Sequence, residues 1–204
     1  LPSYLMPQLQ LIFNQAQYMR EIVDMVLDWN SMEAGYSKLK IQKCKLDEWI
    51  TNIVKDFTEE ARQKGICIKL QMTTDIEEVW FDKQKCHTVL SNLLMNALKF
   101  SMPESCITIN TRKLENKVRI SVVDEGIGIQ DSDITNLFTR FYKGNHKEKG
   151  SGFGLYYAKT IMEMHGGDIG AYNNTDKGAT FYLELPLSMK RQKPQGYYKK
   201  KPPL

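Results

Sequence analysis

No run of about 18 apolar residues occurs in the 204-residue chain, so nothing in it can cross a bilayer as a helix. Cysteine is scarce. Cys44, Cys67, Cys86 and Cys106 are scattered, with no Cys-x-x-Cys pair, which argues against a zinc site and for reduced, packing thiols in a cytosolic compartment. The chain lacks an initial Met and a basic-then-apolar leader, so the expectation is a fragment of something longer. Negative charge is missing from residues 188–204, where Lys190, Arg191, Lys193, Lys199, Lys200 and Lys201 stand. The net charge of +4 therefore belongs to this tail, and the body is net negative. A basic tail can bind phosphate-rich partners. A solvated linker is the plainer reading, and no nucleic-acid partner is expected.

The length suits one good-sized domain with an accessory element. Residues 9–34 read as one long helix. Leu9, Ile12, Ala16, Met19, Val23 and Val26 fall at spacings of three and four, flanked by Phe13 and Leu27. Such a seam suits a helical bundle or coiled coil, although a helix packed on its own domain would also carry one. Gly35 offers a left-handed stop. Leu39 and Ile41 suggest a short strand. Ile50, Ile53, Val54, Phe57 and Ala61 share one helical face that Gly65 ends. Ile66, Ile68, Leu70 and Met72 alternate as in a half-buried strand, and Val79-Trp80-Phe81 reads as another. Asp82 is placed to cap a helix over 83–100. Strands are expected at 106–113 and 117–123, helices near 131–138 and 153–164, and a final strand pair around a turn at 173–178. The pattern predicts an α/β (α+β) two-layer sandwich: a mixed, mostly antiparallel sheet with helices on one face, preceded by the long bundle helix.

Three blocks carry chemistry. In Asn92-Leu93-Leu94-Met95-Asn96-Ala97-Leu98-Lys99-Phe100, the helical period puts Asn92, Asn96 and Lys99 opposite the apolar face of Cys86, Leu90, Leu93, Leu94 and Ala97. Any amphipathic helix has a polar face, but an amide oxygen also suits Mg²⁺ and a lysine suits a phosphate. Asp124-Glu125-Gly126-Ile127-Gly128 follows an apolar run. Its aspartate either starts a glycine turn or accepts a hydrogen bond from an adenine amino group, where guanine would present a repelling carbonyl. Gly150-Ser151-Gly152-Phe153-Gly154-Leu155 lets backbone amides approach phosphates at a helix start.

In this order the blocks resemble the ATP-binding domain shared by sensor histidine kinases, DNA gyrase, the ninety-kilodalton heat-shock chaperone and mismatch-repair ATPases. The histidine-kinase branch is the nearest. The resemblance spans roughly residues 9–187. It implies ATP and Mg²⁺ as cofactors, with Asn96 on the metal and Lys99 and Phe100 near the nucleotide. Asn92, Asp124, Gly126, Gly128, Ile129, Gly150, Ser151, Gly152, Phe153, Gly154 and Leu155 complete the pocket. Thr180, in Gly178-Ala179-Thr180, is expected to support Asp124 and the base. Phe138-Thr139-Arg140-Phe141-Tyr142-Lys143 resembles the root of the family's ATP lid and brings Tyr142 and Lys143 to the site, with the lid over about 143–151. Lys143 stands where many relatives have Arg, and Phe153 where Leu is usual. Hydrolytic relatives place Glu at the position of Asn92. Asn cannot accept a proton from water, so transfer to a protein side chain is implied over rapid hydrolysis.

The resemblance makes residues 1–36 the second helix of a dimerisation bundle, 37–188 the catalytic domain and 189–204 a basic tail or linker. The implied partners are a second copy of the intact protein and the receiver domain of a response regulator. Membrane attachment would come only through segments absent here, in a bacterial sensor whose cytoplasmic portion this is. The family's acceptor is a His followed by an acidic residue, and the chain has none. His87 precedes Thr88, His146 precedes Lys147 and His165 precedes Gly166. His87 reads as a packing residue, His146 as a lid residue in water, and His165 as a helix end that favours partial positive charge. A serine/threonine kinase or ATPase on the same fold, or a nucleotide-binding interaction module without catalysis, remain open.

Overall fold

The computed structural model describes residues 5–33, 38–73, 75–76, 78–144 and 152–188. The chain divides into two compact units, one holding the first helix and the other starting at Leu39. Helix α1 (Met6–Glu33) contains the seam predicted from spacing, and Leu9, Ile12, Phe13, Met19, Val23 and Leu27 on it are all 44–64% exposed. The proposed stop at Gly35 lies outside the described residues, as does the tail at 189–204.

The second unit begins with a two-stranded antiparallel sheet. β1 (Ile41–Lys45) pairs with β3 (Glu78–Asp82), Ile41 opposite Asp82. Between them lie α2 (Leu46–Gln63) and β2 (Cys67–Gln71). The apolar face of α2 is buried as its spacing predicts, and Gly65 follows with φ +66°. β2 departs from its alternation. It lies at the edge of the main sheet, where Ile68 is half-buried and Leu70 is 38% exposed.

The main sheet has the order β2-β4-β5-β7-β6, with β4 (Cys106–Lys113), β5 (Lys117–Val123), β6 (Asp168–Asn173) and β7 (Ala179–Pro186). β2 and β4 run parallel because β3 and helix α3 (Lys83–Phe100) intervene as a crossover; the other pairings are antiparallel. Ile107, Ile109, Val118, Ile120, Val122, Leu183 and Leu185 turn alternate positions of the central strands to a core shared with Leu90, Leu93 and Leu94 of α3 and Ile161 of α5 (Gly154–Met164). Each such side chain contributes about 1.5–3 kcal/mol of burial. On the other face the buried carboxylate of Glu184 is held by Lys117 at 2.9 Å and by Arg119 at 2.6 and 3.0 Å, and Arg119 lies over the Tyr182 ring.

Two further expectations change. The helix near 131–138 is only α4 (Asp131–Ile134), and the chain then continues through tight turns in which Asn136 N–H donates to Asp133 O and Thr139 N–H to Asn136 O. Phe141 ends this stretch at φ +60°, a left-handed conformation that no helix accommodates. The thiols are not all reduced, because Cys67 and Cys106 form a disulfide. They are direct partners in the parallel β2–β4 register, 4.6 Å apart at Cα, a proximity that scattered sequence positions conceal. Cys44 and Cys86 remain free and buried, as packing thiols should be.

Candidate functional site

Helix α3 starts on the cap predicted for it. The Asp82 carboxylate accepts from the N–H groups of Gln84 and Lys85, both at 3.1 Å, an arrangement worth about 1 kcal/mol. The same residue ties α3 to the end of α5, since Asp82 N–H donates to His165 Nε2 at 3.0 Å. The other ring nitrogen, Nδ1, donates to Ile161 O at 2.7 Å. Burial pushes the His165 pKa below its ordinary value, and the ring needs its Nε2 lone pair for Asp82. His165 is therefore a neutral core residue, and the expected positive charge at this helix end is absent. His87 departs from expectation in the opposite sense. Its side chain is 47% exposed, 4.0 Å from Asp56, where a packing role was anticipated. His146 lies outside the described residues.

With its start fixed, α3 delivers Asn92, Asn96, Lys99 and Phe100 along its second half, all half-buried. Asn92 Nδ2 donates to Gly154 O at 3.4 Å, so the helix meets the first residue of α5. Phe153 at the N-cap of α5 makes no side-chain cap bond, and the positive end of the helix dipole lies at this terminus. Lys99 extends its ammonium over the Phe100 ring, 4.7 Å from the centroid.

The Asp124 loop closes on the same end of α3. Gly126 sits so tightly on Phe100 that a Cβ there would overlap the Phe100 carbonyl, and the approach is possible only without a side chain. Asp124 is 3% exposed, and its Oδ1 accepts from Gly126 N–H at 2.9 Å and Ala179 N–H at 3.1 Å. Burial pushes this carboxyl above its ordinary range against the pull of those two donors. Both bonds use Oδ1, which leaves Oδ2 to a ligand's donor. Gly128 and Ile129 continue the loop. Thr180 does not reach the carboxylate. Its hydroxyl donates to Asn174 Oδ1 at 2.6 Å, and Asn174 in turn donates to the Asp124 carbonyl at 2.9 Å. Any support from Thr180 is thus relayed through Asn174.

At the lid root, Gly152 returns the chain to its point of departure. At φ +69°, a Cβ on it would lie 2.7 Å from Tyr142 O, so both ends of the intervening segment meet. Gly150 and Ser151 lie outside the described residues. The Tyr142 hydroxyl donates to Asp133 Oδ1 at 2.7 Å, a bond that raises its own pKa. Lys143 is exposed beside it. Phe153 is 2% exposed and packs against Phe141 and Tyr157, with ring centroids 6.0 and 6.2 Å away, so its side chain is a core contact between the start of α5 and Phe141. Leu155 is half-buried in the first turn of α5.

Asp133, Asn173 and Asn174 went unnoticed in the sequence. Asp133 is 3% exposed and organises the lid root, yet Asp131-Ser132-Asp133 looks like an ordinary helix start. Asn173-Asn174 looks like turn formers. A groove of about 290 Å³ between α2 and α3, lined by Trp49, Asp56, Lys83 and His87 among others, shares no residue with this site.

Residues 81–189 match the family described as Histidine kinase-, DNA gyrase B-, and HSP90-like ATPase. The chain is 28% identical over 166 residues to the alginate biosynthesis sensor protein KinB of Pseudomonas aeruginosa, which is 81% of this chain and 28% of KinB. It is 30% identical over 183 residues to the sensor protein RprX of Bacteroides fragilis, 87% of this chain and 35% of RprX. The nucleotide-free catalytic domain of histidine kinase ThkA resembles it with a TM-score of 0.66 at 28% identity, covering 72% of this chain and 96% of that one. The chain spans about a third or less of the length of these two curated relatives.

Proposed function

Because the chain belongs to the histidine kinase-, DNA gyrase B- and HSP90-like ATPase family, we propose that residues 37–188 are the catalytic domain of a sensor histidine kinase that moves the γ-phosphoryl group of Mg-ATP to a histidine outside this chain. The observation that carries the reading is the meeting of Asn92 with Gly154 at the start of α5, while Gly126 presses the Asp124 loop onto Phe100 at the end of the same helix. One helix thereby joins a base-reading carboxylate to a phosphate-accepting helix start.

The residues fit the nucleotide and its metal. The lack of a side chain at Gly126 lets the Asp124 loop close on the end of α3, so the carboxylate stands beside the residues that α3 carries. Asn96 adds one neutral oxygen, which suits an ion that keeps most of its waters and bridges phosphates. Bound Mg²⁺ would neutralise charge on the phosphate oxygens. Asp124 accepts from the adenine amino group, Lys99 attracts the phosphates, and the α5 amides receive phosphate oxygens. An imidazole nitrogen of the acceptor then bonds to the γ-phosphorus as the bond to the β–γ bridging oxygen breaks, and ADP leaves. Asn92 leaves water without a base, so hydrolysis stays slow. His165 is buried with both nitrogens engaged, and His87 faces Asp56, so neither serves as acceptor.

By the same reading, residues 1–36 are the second helix of a dimerisation bundle, and 189–204 are a linker. The intact protein is a homodimer that passes its phosphoryl group to an Asp of a response regulator, on the cytoplasmic side of a bacterial membrane. Two measurements test this. Calorimetry should give Mg-dependent ATP binding with clear preference over GTP, and Asp124→Asn should abolish that preference. Labelled ATP should leave no phosphohistidine on this chain alone but should label an added two-helix bundle bearing a His-acid pair. Labelling of His87, His146 or His165 would overturn the assignment.

A further inference from the structure

The segment from Asp124 to Ile129 leaves β5 and has no strand partner of its own at its far end. There the Asn173 side chain takes over. Its Oδ1 accepts from Ile129 N–H at 2.7 Å, and its Nδ2 donates to Ile129 O at 2.7 Å. One planar amide thus satisfies both backbone groups of a loop residue, as a neighbouring strand would. Among side chains only Asn and Gln offer a carbonyl acceptor and N–H donors in one rigid group, and Asn has the shorter stem. The pair faces solvent, but the two bonds share one amide plane, and water must displace both to release it.

Asn174 holds the other end. Its Nδ2 donates to Asp124 O at 2.9 Å and to Lys177 O at 3.0 Å, while its Oδ1 accepts from Thr180. Lys177, in the same turn, pairs with Glu125 at 3.1 Å, and Glu125 reaches Cys106 N–H at 3.4 Å. Two consecutive asparagines, the last residue of β6 and the first of the turn to β7, therefore clamp both ends of the loop that carries the buried carboxylate. None of their bonds uses the Asp124 carboxylate, so they determine where it points without touching what it binds.

We propose that Asn173 and Asn174 are positioning residues that set purine selectivity, holding the Asp124–Ile129 loop so that the carboxylate meets the amino edge of adenine. The proposal rests on the reading of Asp124 as the base-reading group. An aspartate whose loop can shift by about 1 Å loses its angular discrimination, while the phosphate contacts on α3 and α5 stay in place. The effect should fall on the base alone.

The test measures binding of ATP, GTP and inorganic tripolyphosphate to the full chain and to Asn173→Ala, Asn174→Ala and Asp124→Asn, with a thermal melt of each. The expected result for either Asn variant is an ATP-to-GTP preference reduced by about tenfold or more, with tripolyphosphate affinity unchanged. A lower melting temperature with an unchanged preference would make the clamp structural only and overturn the proposal. Equal losses for ATP and tripolyphosphate would do the same. Asn173→Ser retains a short hydroxyl and covers the case in which an alanine variant does not fold; an unchanged preference there also overturns the proposal. Asp124→Asn separates the two levels. If it removes the preference and the Asn variants do not, the clamp fails alone. If it leaves the preference intact, or the wild type has none, the base-reading role fails and the clamp with it.

Discussion

His165 shows how one side chain can couple two helix ends. Its neutral ring accepts from the backbone at Asp82, where α3 begins, and donates to Ile161 within α5. Burial lowers its pKa, Lys85 adds to that effect, and Asp82 and the bond to Ile161 oppose it. The folded state excludes a proton that the unfolded chain takes up below about pH 6.5. Stability is therefore full above that value and declines as pH falls through it, by at most about 1.4 kcal/mol per pH unit for one proton. Denaturant melts between pH 7.5 and 5 should show this slope in the wild type and in His87→Ala, whose ring is exposed, and should lose it in His165→Gln. An unchanged slope in His165→Gln would assign the proton uptake elsewhere. Asp124 has the opposite sign, for its raised pKa means that ionisation weakens the fold while it serves the ligand.

Within the main sheet, β2 buries little of its own surface. It is an edge strand, joined to the sheet on one side only, with Leu70 exposed. The Cys67–Cys106 bridge closes 39 residues of sequence across that edge, which constrains the unfolded chain by roughly 3–4 kcal/mol. Reduction, or Cys67→Ser, should lower the melting temperature by about 5–15 °C. The double variant Cys67→Ser/Cys106→Ser should match the reduced wild type, and identical melts with and without reductant would remove the bridge from the account. The same elements explain what the sequence disclosed. Alternation and turn residues located β4 and β5 to within a residue or so, and the turn residues placed the connection between β6 and β7. The apolar stripes of α2 and α3 were legible because each helix buries one face. The helix expected near 131–138 is only the four-residue α4 because the chain beyond Ile134 runs on in successive tight turns, Asn136 N–H on Asp133 O and Thr139 N–H on Asn136 O, and no glycine or proline marks the change. In the site, glycine blocks stood out, since close backbone approach excludes every other residue. Asp133 and the two asparagines did not, because a buried hydrogen-bond hub and a solvent turn use the same residue types. The disulfide was hidden by parallel pairing, which unites distant positions.

On the scale of the whole molecule, α1 and the domain that starts at Leu39 are built on different terms. The domain has its own buried core. The helix leaves Ile12, Met19, Val23 and Leu27 more than half exposed. Its order is then a question of reaction molecularity. A domain that buries its own core unfolds in a first-order process whose midpoint ignores dilution, whereas a helix whose apolar face is covered by another copy obeys mass action. Far-ultraviolet dichroism should resolve two transitions. The smaller one, with the amplitude of about one long helix, should move to lower temperature over a hundredfold dilution, and Ile12→Asp should suppress it while the larger stays in place. A single concentration-independent transition would mean that the seam is satisfied within one chain. If the two separate as expected, the population of ordered α1 becomes a readout of how many copies share a given volume, and local crowding of the chain becomes a variable that its conformation reports.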